Sequence, residues 1–249
     1  MKIAILSDIH SNVFALEAVL FDAKSKNVDV LINLGDILYG PIAPKATYEL
    51  LQKHNFITIS GNQDRQIVEA LEEEIKENAT LAYILEDLDE EGLQWLKELP
   101  FDTQFNEDIY LCHGTPKDDL TYLLENTQSG YNILKEDKDI LKLLGNNTSK
   151  VILCGHTHIP RKIYLSTGQL VINPGSVGLQ AYKDVEPWIH CMQRKTPEAS
   201  YAILEYINKE YTVDLINIPY NYSLAIKEAK KRKREDWMHY LKTGKEYLA

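Results

Sequence analysis

Five apolar runs in this 249-residue chain each stop at a polar side chain of a kind that binds cations, with Ser, Cys or Gly beside it. They are Ile3-Ala-Ile-Leu-Ser-Asp8-Ile-His10, Val30-Leu-Ile-Asn-Leu-Gly-Asp36, Phe56-Ile-Thr-Ile-Ser-Gly-Asn62, Ile109-Tyr-Leu-Cys-His113 and Val151-Ile-Leu-Cys-Gly-His156-Thr-His158. Short runs of β-branched and large apolar residues that end in turn residues read as buried strands. The first three alternate with helical stretches, and βαβ order implies parallel strands with helices packed against them. Parallel strands end at one edge of their sheet, the edge where open α/β folds place their sites. The chain is thus constrained to gather Asp8, His10, Asp36, Asn62, His113, His156 and His158 at a common edge.

The remaining pattern fills in this frame. Strand 2–7, helix 12–26, strand 29–34, helix 43–54 and strand 56–60 form the alternating part. Helix 12–26 carries Val13, Leu16, Val19, Leu20 and Ala23 at helical spacing. Residues 64–99 read as mostly helical and as part of a wall over the site, with Asp89-Glu-Glu at a helix start and Pro100 as a stop. A hairpin at 101–105 and 109–112, an irregular substrate-facing loop at 114–130, a helix over 131–145 and a strand at 151–154 follow. Hairpins at 162–166 with 169–173 and at 200–207 with 211–218 predict a mixed sheet or two stacked sheets between helices. The length suits one domain over 1–249.

Alternation in an extended strand puts residues i and i+2 on one side, so Asp8 and His10 are expected to converge on one ion, and His156 and His158 likewise. Imidazole, carboxylate and amide oxygen suit Mn, Fe, Zn, Co or Ni better than Ca or Mg, with manganese the first choice. Seven ligands exceed what one ion takes when a water must also bind. Two divalent transition-metal ions sharing one carboxylate use them all, with Asp36 as the candidate bridge. Two such cations against two carboxylates and one hydroxide leave roughly one positive charge, which attracts an anionic phosphoryl group.

A net charge of −10 and a pI near 5.2 argue against sequence-independent binding to DNA or to an anionic membrane. A small phosphate ester remains compatible, because the metals dominate the field at contact distance. No apolar run is long enough for a membrane span, and the N-terminus reads as a first strand and not as a secretory signal. Three cysteines make no disulfide framework, which points to a reduced, cytoplasmic protein. Cys112 and Cys154 read as small hydrophobes on buried strands. No pattern in the chain specifies an oligomeric state.

The motifs resemble those of the calcineurin-like metallophosphoesterases. Ser7-Asp-Ile-His10-Ser-Asn12 is similar to their D-x-H motif, Gly35-Asp36 to G-D, Gly61-Asn62-Gln-Asp64 to G-N-H-[DE], His113-Gly114 to the fourth motif, and Gly155-His-Thr-His158 to G-H-x-H. Tyr39-Gly-Pro41, Cys112-His-Gly-Thr-Pro116 and Asn173-Pro-Gly-Ser-Val-Gly178 resemble the small bacterial and archaeal phosphodiesterase branch. The resemblance implies a four-layer α/β/β/α sandwich of two mixed sheets flanked by helices. It also implies one metal on Asp8, His10, Asp36 and His158 and a second on Asp36, Asn62, His113 and His156. The implied activity is hydrolysis of a phosphodiester by a bridging hydroxide, with phosphomonoesters and dinucleoside polyphosphates as alternative substrates. Relatives that keep the fold as an interaction scaffold usually lose ligands, and all seven are present here.

One position departs from the pattern. Gln63 stands where many members carry a histidine thought to protonate the leaving group, and an amide donates a hydrogen bond but no proton. His54 and His190 are candidates for a replacement acid. Asp64 is expected to hold a neighbouring group in place, and it joins Asp36 and Gln63 in the candidate catalytic set. Asn12 suits either substrate binding or a helix N-cap, and Arg161 either a phosphate clamp or an ordinary exposed strand position. The run Lys227-Glu-Ala-Lys-Lys-Arg-Lys-Arg234 reads as the solvated face of a terminal helix whose Leu224, Ala225, Ala229, Trp237 and Leu241 pack inward.

Overall fold

The computed structural model describes residues 1–248. The alternating part forms as expected: β1 (Lys2–Leu6), α1 (Val13–Ser25), β2 (Val30–Asn33), α2 (Pro44–Leu51) and β3 (Phe56–Thr58), with β1, β2 and β3 parallel. The stretch read as mostly helical is four short helices, α3 (Asn62–Glu69), α4 (Glu72–Glu77), α5 (Ala79–Asp87) and α6 (Glu90–Glu98). Each of the last two starts at a side-chain cap: Asn78 accepts from Thr80 and Leu81 N–H, and Asp89 from Gly92 N–H.

The middle of the chain builds a second sheet from β4 (Asp102–Gln104), β5 (Ile109–Cys112), β8 (Val151–Leu153), β9 (Arg161–Tyr164) and β10 (Leu170–Asn173). Between β5 and β8 lie the short pair β6 (Glu125–Asn126) and β7 (Ile133–Leu134) and the helix α7 (Asp137–Leu144). The helix expected over 131–145 therefore forms only in its second half. Gly130 at φ +82° lies in the turn between β6 and β7, and Ile133 and Leu134 are left exposed without an apolar surface to pack on.

The chain then runs through the hairpin β11 (Ala181–Asp184) and β12 (His190–Gln193), the long pair β13 (Ala199–Ile207) and β14 (Glu210–Ile218), and the helices α8 (Tyr222–Lys231) and α9 (Glu235–Thr243). β13 joins β1 antiparallel, so the first sheet has the order β14-β13-β1-β2-β3 and the second β4-β5-β8-β10-β9. Both are mixed: the first is antiparallel from β14 to β1 and parallel from β1 to β3, and the second has a parallel centre with antiparallel edges.

Strand alternation assigns the layers. Ile3, Ile5, Ile32 and Leu34 meet Ile109, Leu111, Val151, Leu153 and Ile172 between the two sheets. The intervening Ala4 and Leu6 face α1 on one outer surface. Tyr110, Cys112, Ile152 and Cys154 face Ile140 and Leu144 of α7 on the other. The result is the four-layer α/β/β/α sandwich. Cys112 and Cys154 are buried thiols in this last layer, and burial pushes both well above their usual range.

The terminal helix is broken in two. Lys233 at φ +56° turns the chain between α8 and α9, which pack on each other, α8 also on α1 and α9 on β11. Ala225, Ala229, Trp237 and Leu241 are buried as expected, but Leu224 is 42% exposed, one position off the Ala225–Ala229 face.

Candidate metal centre

The ligands converge by a route other than strand alternation. Asp8, His10, Asp36, His156 and His158 all lie beyond their strand ends, with φ of +55°, +50°, +55°, +68° and +58°. Left-handed backbone costs a non-glycine residue roughly 1–2 kcal/mol, so five such residues mark a loop system held for function. The i, i+2 argument is corrected accordingly for His156 and His158, which point into different clusters. Asp8, His10 and His158 form one group and Asp36, His113 and His156 another. In the first, His158 Nε2 is 3.3 Å and His10 Nε2 4.0 Å from Asp8 Oδ1. In the second, His113 Nε2 is 3.5 Å from Asp36 Oδ1 and 3.1 Å from Asn62 Oδ1, which adds the amide oxygen to that group.

Every histidine of the two groups is held by its other ring nitrogen. His10, His113 and His158 donate Nδ1–H to the carbonyls of Tyr39 (3.1 Å), Leu34 (2.7 Å) and Leu179 (2.6 Å), and His156 donates Nε2–H to Leu120 (3.0 Å). A carbonyl only accepts, so these contacts leave Nε2 of His10, His113 and His158, and Nδ1 of His156, for the site. The Nε2 atoms of His10 and His158 face each other at 2.9 Å, two lone pairs that repel unless a cation or a proton lies between them. Asp8 Oδ1 is buried without any hydrogen-bond partner. Two lone-pair nitrogens and an orphaned carboxylate oxygen around one point are what a divalent transition metal takes, so the residues fit the implied ions.

The charges of four of these residues suit the ions as they stand, and that of His113 must change on loading. Burial, followed by the neighbouring His158, pulls His10 down to about 4, and burial, followed by His113, pulls His156 down to about 4, so both are neutral ligands at ordinary pH. Burial opposes charge on His113 too, but the Asp36 carboxylate overcomes it and pushes His113 up to about 10. Asp8 and Asp36 resist burial, which would raise them, and are held below the usual carboxylate range, chiefly by His158 and His113 respectively.

Asp64 is buried completely and touches no reacting group. Its Oδ2 accepts the N–H of Asp36 (2.8 Å) and Gly61 (2.9 Å), and its Oδ1 that of Ile37 (2.9 Å). It therefore acts through the Asp36 loop as a positioning residue. Gly61 allows this crossing: a Cβ there would lie 2.2 Å from Asp36 Oδ1. Gln63, the second residue of α3, donates its backbone N–H to Asp36 Oδ1 at 2.8 Å and lines the cavity at the centre.

Other expected site residues are engaged elsewhere. Asn12 is fully buried, caps α1 at Ala15 N–H and donates to Gly178 O and Tyr220 Oη, so the N-cap alternative holds and no polar atom is left for substrate. Arg161 is committed to Glu125, at 2.8 and 3.2 Å, and is no free clamp. His54 is exposed against Phe56, and His190 is enclosed between Tyr122 Oη and Trp188 O; neither lines the cavity. Arg234 corrects the solvated reading of the basic run, because it lines the cavity with Trp237 while paired to Asp236 at 2.7 Å. Tyr182, Lys183 and Tyr240 also line it and were missed, since nothing in their local sequence marks them.

With this geometry in place, comparison with known proteins is direct. The model of the calcineurin-like phosphoesterase superfamily domain matches residues 1–209. The chain belongs to that superfamily. An uncharacterized protein, MJ0912, of Methanocaldococcus jannaschii is 27% identical over 258 residues, covering 95% of each chain. The crystal structure of a metallophosphoesterase from Sphaerobacter thermophilus superposes with a TM-score of 0.77 at 25% identity, covering 98% of this chain and 99% of that one. The hypothetical protein PH1004 of Pyrococcus horikoshii shares the fold, with a TM-score of 0.76 at 19% identity and 99% of both chains covered. Both superpositions extend over α8 and α9, which lie beyond the segment matched by the superfamily model. Among the described residues no helix is long and apolar enough to cross a membrane.

Proposed function

We propose that this member of the superfamily is a two-metal phosphodiesterase acting on a small phosphate diester in the cytoplasm. The observation that carries the reading is the opposed pair of buried ligand clusters, with every imidazole anchored by a backbone carbonyl. Asp8, His10 and His158 would hold one divalent ion and Asn62, His113 and His156 the other, with Asp36 reaching both. When bound, such ions supply an activated water and neutralise charge on the phosphoryl oxygens. In the net reaction water oxygen bonds to phosphorus, one ester P–O bond breaks, and the departing oxygen takes up a proton, giving a monoester and an alcohol. Asp64 keeps the Asp36 loop rigid, and the Gln63 amide offers a hydrogen bond to an ester or phosphoryl oxygen without delivering a proton. Three buried free thiols accord with a reducing compartment.

The test is turnover of bis(4-nitrophenyl) phosphate, 4-nitrophenyl phosphate and a dinucleoside polyphosphate by protein stripped of metal and then loaded with Mn²⁺. The diester should be hydrolysed fastest and a chelator should abolish the activity. Preference for the monoester or the polyphosphate would reassign the substrate, and metal binding without turnover of any of the three would support a scaffold role.

A further inference from the structure

Two cavities meet at the metal centre, and they differ in size and lining. One, about 300 Å³, is lined by His10, Asp36 and Gln63 and closed by Lys183, Arg234 and Trp237. The other, about 550 Å³, is bounded by Leu120, Tyr122, Thr127, Gln128, Lys135 and Trp188. Asn62, His156 and Asp184 line both, so a phosphoryl group at the second ligand cluster faces each cavity. A monoester would use one of them, whereas a diester has an arm for each.

The lining of the larger cavity describes its arm. Trp188 is 53% and Leu120 60% exposed, so an aromatic face and an aliphatic side chain are uncovered at a site that polar Asn126, Thr127 and Gln128 also line. A planar heterocycle satisfies both features, stacking on indole and presenting a hydrogen-bonding edge. Further phosphate groups do not fit. The cavity's one cation, Lys135, already donates to the carbonyls of Tyr122 and Glu125, while Asp184 and Glu186 add negative charge. The volume falls within the ~300–1,000 Å³ common for small-molecule pockets, with room for a nucleoside.

We infer that the substrate is a diester with unequal arms: a neutral, nucleoside-sized aromatic arm lies against Trp188 in the larger cavity, and a smaller arm lies in the cavity closed by Arg234. The inference rests on the phosphodiesterase reading and narrows it.

Trp188→Ala tests it, since an exposed side chain is removed without opening the core. With thymidine 5′-(4-nitrophenyl phosphate) the KM should rise about tenfold, the scale of a lost stacking contact. With methyl 4-nitrophenyl phosphate, whose nitrophenyl ring lacks the hydrogen-bonding edge and sugar of a nucleoside, it should rise much less. Trp188→Tyr should restore most of the loss. A KM unaltered on both esters, or raised equally on both, would overturn the assignment. Thymidine alone gives a readout independent of turnover: in saturation-transfer NMR it should bind the wild type and not Trp188→Ala. If neither ester is hydrolysed but thymidine binds at Trp188, the subsite stands and the hydrolytic reading falls. If the methyl ester is hydrolysed and thymidine binds both proteins equally, the subsite falls and the hydrolytic reading stands.

Discussion

Replacing Asp64 by asparagine separates a positioning role from a catalytic one, and its size can be worked from three hydrogen bonds. Oδ2 accepts from Asp36 and Gly61 N–H at 2.8 and 2.9 Å, and Oδ1 accepts from Ile37 N–H at 2.9 Å. Asparagine has one oxygen, so at most two of these bonds survive, and its NH₂ is turned against the third N–H. A buried donor left without a partner costs about 1–3 kcal/mol. In a chain of this size that amounts to a fall of roughly 2–12 °C in the melting temperature of metal-free protein. Because the carboxylate orients a ligand loop, metal affinity should also drop by about 10–100-fold. Burial, followed by the Asp36 charge, pushes Asp64 up to about 7 in the metal-free fold, above its ordinary 3.8. The folded state thus binds this proton more tightly than the unfolded chain does. Its contribution to stability is full below 3.8 and is lost as pH rises through about 7. The comparison belongs at pH 8, where the carboxylate is ionised. Thermal unfolding and Mn²⁺ titration calorimetry are the assays. A variant with wild-type melting temperature and affinity would refute the reasoning, and one that binds metal normally but is inactive would make Asp64 catalytic.

Loading with metal should expel a proton: His113, up to about 10 without metal, is charged at pH 8 and must be neutral to ligate. About one proton per chain should appear when calorimetry is run in buffers of different ionisation heat, and affinity should rise roughly tenfold per pH unit up to that value. Binding of two ions with no proton release would contradict this. Gln63→His should speed hydrolysis of alkyl diesters by on the order of 10²–10⁴-fold where protonation limits the step, and nitrophenyl esters little. Equal leaving-group dependence in both proteins would show that Gln63 does not limit departure. Arg234→Gln should raise KM for diesters several-fold, whereas Lys230, Lys231 and Lys233 changed together to Gln should leave it within twofold, since those side chains lie outside both cavities at the centre. Equal effects of the two changes in a KM measurement would count against a cavity role for Arg234.

The seven ligands were legible in the sequence because each follows a strand written as a run of apolar residues. The sandwich was legible through the same runs, since alternation along β1 and β5 assigns each residue to one layer. Local pattern failed where tertiary contacts decide. It could not separate His156 from His158, because a left-handed turn and not the strand pleat aims them. It could not tell a capping Asn12 from a substrate ligand, since Gly178 and Tyr220, which receive its amide, are distant in the chain. Nor could it show that the basic run ends inside the site. Arg234 reaches the cavity because α9 packs on β11 while α8 packs on α1, and that docking depends on how surfaces distant in the sequence fit together, which no window along the chain contains.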